Sequence, residues 1–168
     1  MRSPILLFLP CLLGTILMPL PSLAENRKSQ TPAPAPSATT AGARRAAIVA
    51  FCQKNRGKKV GNGECWTLAN EAFKQCGARR PGGDLRVWGR SLNLKRETPL
   101  PGEILECDGT RFADGTYVPA KHTAVIVGVH SATLVRIAEQ NVAGRKKVSE
   151  RDLDLSGIRG GRIFIYRP

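Results

Sequence analysis

Acidic and aromatic side chains are scarce in this sequence. It contains 13 Asp and Glu against 26 Lys and Arg, a formal net charge of +13, and aromatic residues make up 5% of the chain. With few aromatic side chains and no recognisable nucleic-acid-binding motif, nucleic acid is not an expected partner. The positive charge favours contact with anionic wall polymers or phospholipid surfaces. A basic surface that only keeps the protein soluble explains the charge equally well.

Metal-binding patterns are also missing. None of the five cysteines forms a Cys-x-x-Cys pair, which argues against a structural zinc site. The Asp-Gly-Thr sequences at 108–110 and 114–116 lack the ligand series of a calcium-binding EF-hand loop, so we predict two turns there. We therefore predict no metal and no cofactor.

Long apolar runs are confined to the N-terminus. After Arg2, an apolar run over residues 5–18 leads to small residues ending at Ala24, as in a secretory signal peptide. A membrane anchor is disfavoured because two prolines and a glycine interrupt a run that is short for a span of about 20 residues. We predict that residues 1–24 are removed and that no transmembrane anchor remains. The protein is then expected to be secreted, or to stay in the periplasm or cell envelope.

The mature chain would have 168 − 24 = 144 residues, enough for one domain. Residues 25–42 contain three prolines and little to bury, so they are predicted to be a disordered linker before a domain at 43–168. Helices followed by strands predict an α+β fold, with N-terminal helices packed on a small antiparallel sheet. Helical periodicity covers 43–55 and 64–75, and β-branched-rich runs cover 103–107, 122–129, 133–139 and 162–166.

Cys65 lies where a glycine-rich turn meets the start of the second predicted helix. Unpaired N–H groups and the positive end of the helix dipole lower the pKa of a thiol at that position, as in a cysteine nucleophile. The alternative is that Cys65 is a small apolar core residue. If Cys65 is a nucleophile, at most one disulfide can form among Cys52, Cys76 and Cys107.

Two strand ends supply partners for such a thiol. His122 is predicted to open an apolar strand, and His130 at its far end lies about 26 Å away, too far to share a site. The next strand ends in Glu139-Gln140-Asn141, where alternation puts Glu139 and Asn141 on one face and Gln140 on the other. A hairpin would bring this end to His122, so that either Glu139 or Asn141 orients the imidazole.

These motifs resemble the papain-like cysteine peptidase and amidase fold. They are GNGECWTLA at 61–69, LPGEIL at 100–105, HTAVIV at 122–127 and Glu-x-Asn at 139–141. The chain is most similar to CHAP amidases and peptidases, and more distantly to NlpC/P60 hydrolases. The first motif also resembles the cysteine-proteinase-fold domain of a fungal actin-patch protein.

The resemblance implies hydrolysis of amide bonds in peptides or peptidoglycan through a thioester on Cys65. His122 would be the general base and then the general acid, with Glu139 or Asn141 as the orienting group. The glutamine of the papain oxyanion hole has no counterpart at 57–62. An oxyanion hole from the Cys65 N–H and Asn62 is the expected substitute, with Trp66 in the wall of the site.

The leading hypothesis is thus an exported, monomeric cysteine hydrolase. The alternative is a catalytically inert papain-like module that binds an anionic wall polymer or a protein partner. The positive net charge and the run of basic residues at 145–147 motivate this binding alternative. Salt-sensitive binding that does not need Cys65 would separate the alternative from catalysis.

Overall fold

The computed structural model describes residues 38–81 and 86–168. The predicted signal peptide and most of the predicted linker lie outside the described residues. In these described ranges, two α-helices come first and six strands follow. This order and the antiparallel pairing of all neighbouring strands confirm the predicted α+β class.

The first helix is longer than predicted. Helix α1 covers Ala38–Lys54, so residues 38–42, which the sequence assigned to the linker, are helical. No proline follows Pro36 in this segment, and the alanines around Thr39, Thr40 and Gly42 favour a helix strongly enough for it to include these poorer helix formers. No helix among the described residues is both long and apolar enough to cross a membrane.

Helix α2 covers Cys65–Gln75, with Glu64 as its N-cap, one residue later than the predicted start. Its buried side, which includes Leu68, Ala72 and Phe73, packs against α1 and the centre of the sheet. Gly77 has a φ of 67° and lies just after the C-terminal end, as predicted for a helix that ends at a glycine.

The strands form one sheet in the order β1-β6-β2-β3-β4-β5. Strands β1 and β5 were not predicted, because β1 has two residues and the sequence of β5 is mostly charged. The strands are β1 Arg90–Ser91, β2 Ile104–Phe112, β3 Tyr117–Val129, β4 Leu134–Glu139, β5 Ser149–Asp154 and β6 Ile158–Arg167, with a 3₁₀ turn at Leu155–Gly157 before β6.

Two predictions about strand ends were wrong. His122 does not open its strand, because β3 begins at Tyr117 and pairs with an equally extended β2. The Asp-Gly sequence at 108–109 is not a turn but a bulge inside β2, where the register shifts and Gly109 has a φ of 55°. The turn between the two strands is at Asp114 and Gly115, as predicted.

Strand alternation divides the core into two clusters. Residues such as Ile104 and Val125 join the helices in one cluster, while their neighbours Leu105 and Ile126 belong to the second. The first cluster packs directly behind the start of α2 and includes Leu68. It therefore holds the N-terminal end of α2 against β3, which is the strand that carries His122.

Candidate active site

A tight turn sets the position of Cys65. Gly61 and Gly63 have φ values of 56° and 87°, in the left-handed region that glycine adopts without strain. A Cβ on Gly63 would lie 2.7 Å from the Cβ of Lys146, so the loop that follows β4 packs directly on this turn. The turn ends at Glu64, and Cys65 is the first residue of α2.

Gln140 ties this turn to the end of β4. Its side chain is fully buried, and its Oε1 accepts a hydrogen bond from the Val60 N–H at 3.2 Å. Its Nε2 donates to the carbonyl oxygens of Val60 and Glu64 at 3.0 and 2.8 Å and approaches Thr67 Oγ1 at 2.8 Å. The sequence predicted only that Gln140 lies on the opposite face of the strand from Glu139 and Asn141. Its role in holding the turn was missed because Gln140 and its partners are 73 to 80 positions apart in the sequence.

His122 links Cys65 to Glu139. The Nε2 atom of His122 lies 2.8 Å from Glu139 Oε2, and the ring also hydrogen-bonds the Cys65 thiol. Since Nε2 faces Glu139, Nδ1 is the nitrogen left for the thiol. Glu139 is 2% exposed, and its other oxygen accepts a 2.6 Å hydrogen bond from Arg151 Nε on β5. Arg151 was not predicted from the sequence.

The pKa values favour an ion pair. Burial raises the pKa of Cys65, but hydrogen bonds from His122 and from the Thr123 and Trp66 N–H groups outweigh burial, so the pKa lies below its usual value. Burial lowers the pKa of His122, but its hydrogen bonds to Cys65 and Glu139 raise it to about 9. Both shifts favour the thiolate–imidazolium pair over the neutral thiol and imidazole.

Glu139 stays ionised in this buried position. Burial raises the pKa of its carboxyl group, but the hydrogen bond to His122 and the positive charge of Arg151 together bring the pKa below its usual value. A carboxylate on the far side of the ring stabilises the imidazolium and keeps the ring aligned with the thiol.

Asn141 contacts the turn rather than the imidazole. Its Nδ2 donates to Glu64 Oε2 at 2.8 Å, and Lys146 Nζ binds the other oxygen of Glu64 at 3.0 Å. Asn141 has a φ of 63°, so the strand alternation that predicted a shared face with Glu139 no longer holds at this residue. Of the two predicted orienting groups, Glu139 is therefore the one that contacts the His122 ring.

The predicted oxyanion and wall residues flank Cys65. Asn62 Oδ1 accepts a 2.9 Å hydrogen bond from the Glu64 N–H, so this atom stabilises the turn. Its role in an oxyanion hole stays a prediction. Trp66 is 40% exposed. It lines a cavity of about 160 Å³ with Cys65, Arg86, Lys121 and Thr123.

The remaining cysteines and His130 differ from the residues of this site, although Cys107 is the cross-strand partner of His122. The four cysteines of the described residues are free thiols, and burial raises the pKa of Cys52 to about 12 and that of Cys107 to about 11. His130 faces Asp152 at 3.1 Å in a half-exposed pair. Within residues 38–81 and 86–168, no three His, Cys, Asp or Glu side chains are grouped as metal ligands.

Comparison of the chain with known protein families identifies a match. The model of the AIM3/BBC1 cysteine proteinase-fold domain matches residues 26–168. The chain belongs to this AIM3/BBC1 family. The predicted likeness to the fungal cysteine-proteinase-fold domain and the predicted papain-like fold are therefore confirmed.

One curated relative of this AIM3/BBC1-family chain is "Altered inheritance of mitochondria protein 3" of Debaryomyces hansenii. It is 29% identical over 143 residues, which cover 72% of this chain and 15% of the relative. The chain thus spans about one seventh of that protein's length.

Two solved structures are also similar. "The crystal structure of Ly7917" has a TM-score of 0.49 at 20% identity, covering 74% of this chain and 62% of Ly7917. "The crystal structure of Ly7917 with the hydrolyzing product of MDP" has a TM-score of 0.47 at 19% identity, covering 74% and 63%.

Proposed function

We propose that this AIM3/BBC1-family domain is a cysteine hydrolase that cleaves amide bonds in peptides or peptidoglycan. The observation that carries the proposal is the hydrogen-bonded series Cys65–His122–Glu139, extended by Arg151. A buried structural cysteine would have a raised pKa, as Cys52 and Cys107 do, whereas the pKa of Cys65 is lowered.

The geometry supports a two-step reaction. The Cys65 thiolate attacks the amide carbonyl carbon, and His122 gives its proton to the nitrogen of the leaving amine as the C–N bond breaks. A thioester on Cys65 remains. His122, now neutral, then takes a proton from water, the resulting hydroxide attacks the thioester carbon, and the acid product leaves as Cys65 returns to its thiolate form.

The oxyanion formed in each step needs N–H donors. Cys65 is the first residue of α2, and its own N–H has no hydrogen-bond acceptor among the described residues. We propose this N–H as one donor, at the positive end of the helix dipole, with the Asn62 side chain beside it as the second.

The test is a comparison of Cys65→Ala with Cys76→Ala. Cys76 is a half-buried thiol at the opposite end of the same helix, so its variant controls for the loss of any accessible cysteine. Purified sacculi and a proteome-derived peptide library are incubated with each protein, and the products are identified by mass spectrometry. We expect cleavage by the wild type and Cys76→Ala only. Equal product formation by Cys65→Ala, or none by any protein, contradicts the proposal.

We also propose that the protein is exported and monomeric. The support is the signal-like sequence at 1–24 and the positive charge, which suits an anionic wall. N-terminal sequencing of the protein from the extracellular or envelope fraction should begin at Glu25, and sedimentation should give a monomer mass. An intact Met1 in a purely intracellular fraction would refute export.

A second candidate function is binding of an anionic wall polymer without catalysis. Arg145, Lys146 and Lys147 line a surface groove of about 470 Å³, and this observation favours it. Co-sedimentation with sacculi measures the binding. Binding that persists in Cys65→Ala and disappears as salt is raised, without any cleavage by the wild type, would support this function over hydrolysis.

A further inference from the structure

Two cavities near Cys65 share lining residues. The first, of about 160 Å³, contains Cys65 and Trp66, and a second of about 210 Å³ is lined by Glu106, Asp108, Arg162 and aromatic residues of β6. Arg86 and Lys121 line both. The two cavities therefore have two cationic side chains in common.

Thr123 shows how close the second cavity is to the nucleophile. Its backbone N–H hydrogen-bonds the Cys65 sulfur, and its hydroxyl donates to Glu106 Oε1 at 2.7 Å. One strand residue thus connects the nucleophile to the wall of the second cavity. An extended peptide advances about 3.3 Å per residue, so a substrate bound at Cys65 reaches this cavity within one or two residues.

The acidic groups of the second cavity are already bound by protein groups. Asp108 Oδ2 accepts a 2.7 Å hydrogen bond from Arg162. Glu106 is 4% exposed, and its Oε1 accepts a 2.6 Å bond from the Trp88 indole, but its Oε2 has no hydrogen-bond partner among the described residues. Burial raises the pKa of this carboxyl group, although the positive charge of Arg86 opposes the rise.

Lys121 is the cross-strand neighbour of Asp108, but the Asp108 carboxylate is bonded to Arg162. It is exposed, directly precedes His122, and has no carboxylate of the described residues within ion-pair distance. Its side chain lines the cavity that contains Cys65, beside the start of α2 and the Cys65–His122 pair. Together with Arg86 in the same cavity, this cation favours a negative group of a bound substrate.

We infer that the Cys65 cleft selects substrates with a carboxylate one or two residues from the cleaved amide bond, bound by Lys121 with Arg86 beside it. This inference rests on the proposed hydrolase function. The carboxylate is supplied either by an acidic side chain or by the C-terminal end of a peptide. Trp66 covers the intervening apolar part of the substrate.

A thiol-reactivity experiment tests the charge without any substrate. Iodoacetate and iodoacetamide both form a C–S bond with the thiolate and release iodide, but only iodoacetate carries a carboxylate. The rates at Cys65 are followed by peptide mass spectrometry in the wild type, Lys121→Met and the control Lys95→Met, which removes the same charge from an exposed loop.

We expect Lys121→Met to lower the iodoacetate to iodoacetamide rate ratio about threefold, as for loss of one charge a few ångströms away in a partly hydrated cleft. Lys95→Met should leave the ratio unchanged. A ratio that is equal in all three proteins overturns the inference. So does an equal fall in both variants, since that reflects only net charge.

Cleavage of a proteome-derived peptide library separates this inference from the proposed function. We expect Glu and Asp, or a free C-terminus, to be enriched near wild-type cleavage sites and the enrichment to fall in Lys121→Met. Amidation of the library's C-termini and side-chain carboxyls in separate samples identifies the source of the carboxylate. Cleavage without such enrichment refutes only the inference. A Lys121-dependent rate ratio without cleavage refutes only the hydrolase.

Discussion

Replacement of Glu139 by Gln tests the central contact of the site. The pKa of His122 is about 9 because the imidazolium is hydrogen-bonded to Cys65 and to a carboxylate at 2.8 Å. In Glu139→Gln, the new amide keeps an oxygen that can accept from Arg151, but it carries no charge and offers an N–H in place of one acceptor. The charged form of the ring then loses both its hydrogen bond to Glu139 and the nearby negative charge, so its pKa must fall.

The size of the fall follows from the lost hydrogen bond. A hydrogen bond to a charged group is worth about 1.5 to 3 kcal/mol, or about one to two pKa units. We therefore expect the pKa of His122 to drop from about 9 to between about 7 and 8. The imidazole then loses its proton between about pH 7 and 8 rather than near pH 9, so alkylation of Cys65 at pH 8 should slow about two- to tenfold.

Nitrogen-detected NMR titration of the imidazole measures this shift directly. The chain has only two histidines, so both rings can be assigned. Asp152→Asn is the matched control, because it removes a carboxylate from the half-exposed His130 pair, where little stabilisation is expected. It should leave the His122 titration and Cys65 alkylation as in the wild type. A His122 titration that stays near pH 9 in Glu139→Gln would refute the assigned role of Glu139.

Two further predictions follow from the site. Hydrolysis should rise with pH as Cys65 ionises, at a pH below the usual thiol value, and should fall above about pH 9, where the His122 proton needed by the leaving amine is lost. Initial rates across pH test this, and a rate that keeps rising above pH 9 contradicts it. Gln140→Leu should lower the free energy of unfolding by about 3 kcal/mol, because buried groups of the turn lose their partners, and should slow alkylation of Cys65. Urea unfolding measures the first effect. Unchanged alkylation in the folded variant would show that the turn is held without Gln140.

Local sequence signals predicted much of the secondary structure. The period of 3.6 in the second predicted helix and the glycines before it located Cys65 at a helix start, and α2 begins at that residue. Apolar β-branched runs located four of the six strands. β5 was missed because its sequence, SERDLD, is mostly charged with Leu153 as its single apolar residue, and it is recognisable as a strand only through its pairing with β4. Arg151 was missed with it.

The position of His122 shows a different limit. The sequence ahead of it, YVPAK, contains a proline and polar residues, so the strand appeared to begin at His122 itself. In the structure, β3 begins five residues earlier because β2 is extended by a bulge and pairs along the whole length of the hairpin. Long-range pairing of this kind overrides local propensity.

The sequence by itself determined that a helix-start cysteine, a strand histidine and a polar strand end occur in this order, because helix starts and strand ends have local signatures. Tertiary structure decided which polar residue reaches His122. Alternation put Glu139 and Asn141 on one face, but β4 ends at Glu139 and the left-handed backbone of Asn141 directs its side chain to Glu64. It also decided the ionisation of Cys65, since burial and the bonds from His122 and Thr123 exist only once α2 packs on β3.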